Sequence, residues 1–121
     1  MNRDIFINEI KKLRDSCGGG VIENLDSPPG RKPRASDLKN SAFYHSLTVA
    51  QKETLLKIIY ESIDMGLFSF LCILDHVHFI EDTKEKTTFE LYAVKGGKKV
   101  LLNDFNDESL HDMFNSLVLD D

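Results

Sequence analysis

An α+β fold is what this chain predicts, and three stretches predict it. Thr48 to Leu74 carries helical periodicity, Val77 to Asn103 carries three β-rich segments joined by short turns, and Asp107 to Leu117 carries a second amphipathic stripe. The elements order themselves as an N-terminal helix, a long loop, a long central helix, a three-stranded antiparallel meander and a C-terminal helix.

The first helix spans Asp4 to Arg14, with Phe6, Ile10 and Leu13 on one face. Gly18-Gly19-Gly20 reads as its stop. Residues 16–40 hold all three prolines and four of the seven glycines, so they read as an irregular or partly disordered loop. Phe43, Tyr44 and Leu47 form a short apolar cluster after it.

The central helix opens with Thr48-Val49-Ala50-Gln51, a spacing by which two side chains satisfy orphan amides at a helix start. Leu56, Ile59, Ile63, Leu67, Phe70 and Leu74 recur three or four residues apart. Past Asp64 only Ser69 is polar before Asp75, which places that half under the rest of the protein. Unbroken, such a helix is roughly 40 Å long, and Gly66 is the expected point of any break.

The three expected strands are Val77 to Glu81, Thr87 to Val94 and Lys98 to Asn103. Gly96-Gly97 suits a two-residue hairpin turn with positive φ. That turn pairs Ala93 with Val100 and Leu91 with Leu102. A second hairpin around residues 82–86 pairs Val77 with Leu91 and Phe79 with Phe89. One face is then wholly apolar and is expected to lie on the long helix. The final helix takes Asn106 as its cap, with Asp107 and Glu108 at its positive end and Leu110, Met113, Phe114 and Leu117 as its stripe.

Length and composition fit one domain, residues 1–121, with a core that needs neither disulfide nor metal. The ten apolar residues from Met65 to Leu74 are too few to span a bilayer. Met1-Asn2-Arg3-Asp4 leads into a helical pattern rather than a secretion signal. Cys17 and Cys72 have no CxxC spacing, which points to the cytoplasm. The net charge of −5 divides unevenly: residues 1–40 carry eight Lys/Arg against six Asp/Glu, and residues 41–121 carry seven against fourteen. From Asn103 onward there are six acids (Asp104, Asp107, Glu108, Asp112, Asp120 and Asp121) and no Lys or Arg. Such a terminus repels nucleic acid and attracts a basic partner.

The other sheet face holds His76, His78, Ile80, Glu90, Tyr92, Leu101 and Asn103. His76 and His78 on one side of a strand form a pair that can share a metal, with Glu90 opposite and His111 or Asp112 as a third ligand if the last helix folds over. The plainer reading is a set of cross-strand polar pairs, including His78 with Glu90. Ile80, Tyr92 and Leu101 among polar neighbours read equally as a binding patch or as a face beneath a helix, and a symmetric homodimer through that face fits the same pattern. Arg31-Lys32-Pro33-Arg34 is the one basic cluster. It is a phosphate contact only if the chain is a nucleic-acid adaptor, which its acidity disfavours. The glycine run lacks the flanking strand and the Gly-Lys-Ser/Thr of a phosphate loop.

No catalytic signature is present, so the expectation is a protein-binding module that is not an enzyme and needs no cofactor. Size, cysteine usage, an acidic C-terminal half and the lack of a catalytic constellation together resemble, across the whole chain, the small bacterial immunity proteins that neutralise toxins, often basic nucleases. The resemblance implies that Asp104, Asp107, Glu108 and Asp112 steer a cationic toxin and cover its active site, with Tyr92 among the anchors. The alternatives are a metal-binding or acid–base enzyme on the His76/His78/Glu90 face, and a nucleic-acid or regulatory adaptor on the Arg31–Arg34 loop.

Overall fold

The computed structural model describes residues 1–119 and holds four helices and one small sheet: α1 (Arg3–Asp26), α2 (Ala35–Ser46), α3 (Val49–Leu74), β1 (Tyr92–Lys95), β2 (Lys98–Leu101) and α4 (Leu110–Val118). The α+β class stands. The three-stranded meander does not, because the sheet has two strands. The chain divides into two compact units, one of residues 1–12 with the chain from Asp64 onward, the other of Leu13–Ile63.

In the Leu13–Ile63 unit, most of the expected loop at 16–40 is helical. α1 continues through Gly18-Gly19-Gly20 to Asp26 and ends just before Ser27-Pro28-Pro29. The reason is a tertiary contact. The ring of Tyr60 lies so close to Gly18 that any Cβ there would overlap it, and the Tyr60 ring also receives the Arg14 guanidinium at 4.6 Å. Glycine there permits a close approach instead of ending a helix. The irregular stretch shrinks to residues 27–34. α2 follows, started by Arg34 in an extended conformation, whose guanidinium pairs with Asp37 one turn on (2.9 and 3.2 Å). That pairing raises the Arg34 pKa and lowers that of Asp37, in each case chiefly through their shared side-chain hydrogen bond.

α3 starts as its sequence indicates. Thr48 N–H donates to Gln51 Oε1 (2.9 Å) and Gln51 N–H to Thr48 Oγ1 (3.2 Å). It runs through Gly66 without a break.

In the other unit, Ile7, Leu71, Leu74, Leu110 and Phe114 are the buried centre, with Phe68, Leu91 and Leu117 among the side chains packed around it. The hairpin register is the expected one, with Ala93 opposite Val100 and Tyr92 opposite Leu101. Gly96 and Gly97 both have positive φ (58° and 77°), as a two-residue turn of the primed type needs.

The first expected strand fails for a local reason. His76 has φ 62°, and the N–H groups of Val77 and His78 both turn back to the Cys72 carbonyl (3.0 and 3.3 Å), capping α3. Those donors are then spent. The stretch before β1 is satisfied instead by side chains on alternate residues. Thr87 N–H donates to Glu81, Phe89 N–H to His76 Nε2 (3.1 Å) and Leu91 N–H to Asn103 Oδ1 (2.8 Å). Side chains replace the missing backbone ladder. The apolar face therefore does not lie whole on the helix: Leu102 is buried and Leu91 packs on the core, while Val77, Phe79, Phe89 and Val100 are exposed.

Candidate functional site: an acidic turn before the last helix

The last helix begins three residues later than expected, at Leu110, and Asn106 is not its cap. Ser109 occupies the capping position, but its side chain does not bond the helix backbone, its hydroxyl donating instead to Asp112 Oδ2 (2.6 Å). The capping groups come from Asp75, just past the end of α3. Its carboxylate accepts from Leu110 N–H (3.1 Å), His111 N–H (2.8 Å) and His111 Nδ1 (2.6 Å). His111 is further held edge-on to Phe68, with ring centroids 5.4 Å apart. Its Nε2 lies 3.6 Å from Asp112 Oδ1.

Residues 102–108 carry the chain from β2 to α4, and two side chains shape them. Asn103, 4% exposed, donates to Leu74 O and Phe89 O (both 2.7 Å) while accepting from Leu91. Asp104 Oδ1 accepts from both Asn106 N–H and Nδ2 (3.0 Å each), and Asp107 N–H donates to Asp104 O (3.1 Å). These bonds form a tight Asx turn. Arg3 braces it from α1, donating to Leu102 O (2.7 Å) and Asp104 O (3.3 Å). At the turn's crest Phe105 is 80% exposed, flanked by Asp104, Asp107 and Glu108. Of the expected acids, Asp107, Glu108 and Asp112 are exposed and Asp104 is half-buried within the turn. Asp120 and Asp121 lie outside the described residues.

Phe105 was not among the expected anchors. Its signal is an aromatic residue alone in a run of acids where no stripe or strand pattern claims it.

The expected second sheet face is not assembled as one surface. Tyr92 and Leu101 face each other across the hairpin, Tyr92 40% exposed and Leu101 half-buried. Ile80 is exposed outside the sheet. His76 and His78 do not sit on a strand. His76 serves the Phe89 backbone, and His78 is exposed. Glu90 accepts from the Tyr92 hydroxyl (3.2 Å), and its charge raises the Tyr92 pKa. His111 belongs to the Asp75 cap. Among the described residues, no three His, Cys, Asp or Glu side chains are placed to hold a metal ion. Cys72 is part-buried, and burial together with Asp75 and Asp112 pushes its thiol pKa up, the opposite of what a nucleophile requires.

Fold and site thus define an α+β protein with a braced acidic turn at the entry to its last helix. Comparison of the chain with protein-family models, curated proteins and solved structures returned no match. No helix among the described residues is long and apolar enough to cross a membrane.

Proposed function

We propose that the protein is a cytosolic protein-binding module that receives a basic partner on the turn at residues 104–108. One observation carries the reading: Phe105 stands 80% exposed between acids, on a turn already braced by Asp104 and Arg3. An aromatic anchor in a charged rim is the pattern of an interface hot spot, and a pre-formed turn has little entropy left to lose on binding. The surrounding carboxylates raise the association rate for a cation-rich surface. An immunity protein covering the active site of a basic toxin is the specific form of this reading, with Asp112 extending the acidic surface along α4.

The test is capture of a partner by tagged protein at low and moderate salt, with wild type beside a Phe105→Ala/Asp107→Lys/Glu108→Lys variant. None of these three side chains makes a bond that shapes the turn, so the variant should remain folded. A basic protein held by wild type, inactive while bound and lost from the variant, supports the proposal. Equal capture by both forms overturns it.

A further inference from the structure

The hairpin carries charge of the opposite sign to its surroundings. From Leu91 to Asn103 there is no Asp or Glu, and Lys95, Lys98 and Lys99 crowd its tip within a half that is otherwise strongly acidic. Lys95 and Lys98 face each other directly across the turn, an arrangement in which like charges destabilise a strand pair. Lys99 rests over the Tyr92 ring at 5.3 Å. Among the described residues none of the three lysines has a carboxylate within ion-pair distance. The strands beside this tip also expose apolar side chains: Val94 is 62%, Tyr92 40% and Val100 40% exposed.

We propose that a second copy of this chain covers the hairpin, with the lysine tip of each protomer seated on the partner copy's acidic turn at residues 104–108. Charge complementarity selects this occupant, because the same unit presents both halves: three uncompensated cations, and an exposed Phe105 among Asp104, Asp107 and Glu108. Within one chain no lysine of the tip is paired with a carboxylate of the turn. From Lys98 to Leu101 there are three steps of about 3.3 Å, so Lys98 stands roughly 10 Å from the end of β2, where the chain enters the turn. A two-fold axis removes this separation. It sets two hairpins side by side and antiparallel, so that the tip of one lies at the base of the other and the contact forms twice. The exposed Tyr92 and Val94, which share one face of the hairpin, are then shielded between hairpins. The inference shares with the proposed function the reading of this turn as a receptor for basic protein, and it makes self-association a competitor that an external partner must displace.

Charge reversal with complementation tests it. Sedimentation equilibrium on wild type in low salt should give a concentration-dependent rise from 13.8 kDa towards twice that mass, and raising salt to about 0.5 M should reverse it because exposed charges are then screened within a few ångströms. A tip variant, Lys95→Glu/Lys98→Glu/Lys99→Glu, and a turn variant, Asp107→Lys/Glu108→Lys, should each stay at the single-chain mass. Mixed one to one they should recover the doubled mass, since each then offers the sign the other lacks. A wild type that remains single-chain at all concentrations in low salt, or a mixture that fails to recover the doubled mass, overturns the proposal. Capture of a basic partner by wild type is read separately, so either idea can fail alone.

Discussion

Asp75 and His111, 36 residues apart, are locked together at the junction of two helices: the Asp75 carboxylate accepts from both the backbone N–H (2.8 Å) and the Nδ1 (2.6 Å) of His111. Asp75 follows the last residue of α3 and caps α4, so the two helices share one side chain at their meeting point. The Asp75 side chain is 6% exposed and that of His111 15%. A polar joint so buried stabilises only while all its partners are present.

Asp75→Ala should therefore lower unfolding stability by about 2 kcal/mol, the sum of a lost cap and stranded donors. Ser109→Ala, at the position where a cap is expected from local sequence, should change it by less than about 0.5 kcal/mol. Urea unfolding followed by circular dichroism measures both. A larger loss from Ser109→Ala would show the cap to be wrongly assigned.

Asn103 predicts a sharper asymmetry. It accepts one hydrogen bond and donates two, and only a carboxamide does both. Asn103→Asp keeps the shape but presents an acceptor to the Leu74 and Phe89 carbonyls. It should cost about 3 kcal/mol or more at neutral pH. The loss should shrink below the carboxyl pKa, where a protonated aspartic acid can again donate one bond. Denaturation midpoints at pH 7 and pH 4, each referred to wild type at the same pH, test this.

The glycine run predicts effects of opposite sign at neighbouring positions. At Gly18 a methyl group would overlap the Tyr60 ring, so Gly18→Ala should destabilise. Gly19 and Gly20 have nothing within 4 Å of an added Cβ and lie inside α1. Alanine there should raise stability by up to about 1 kcal/mol each. Gly66→Ala, in open space on α3, belongs with the stabilising pair. Thermal melts of the four single variants suffice.

Thiol chemistry should separate the two cysteines. Cys17 is exposed, whereas Cys72 is part-buried with its pKa raised by burial and by the charges of Asp75 and Asp112. A thiol reacts as its thiolate, so a raised pKa slows it at any pH below that value. Alkylation at pH 8 followed by mass spectrometry should label Cys17 first. The Cys72 rate should keep rising with pH beyond 9.

What the sequence determined by itself was local. The Thr48/Gln51 start of α3, its length, the Gly96-Gly97 turn and the Ala93–Val100 register all depend on residues a few positions apart, and periodicity and turn chemistry report those directly. The acidic charge of the last segment was equally legible. Three features were decided only by the tertiary structure. Helix α1 passes through three glycines because Tyr60, more than forty residues on, packs against Gly18. The expected first strand is lost because its donors fold back to cap α3, while His76, Glu81 and Asn103 take over the backbone it would have paired. The start of α4 is set by Asp75 rather than by its own flanking residues. For α1 and α4 the deciding group is distant in sequence. The strand is lost to a local cap, and the side chains that replace its ladder come from other turns of the chain. A hydrogen bond or close contact worth a kilocalorie or two outweighs a local preference of about the same size, and no pattern within a short window records where that distant group arrives.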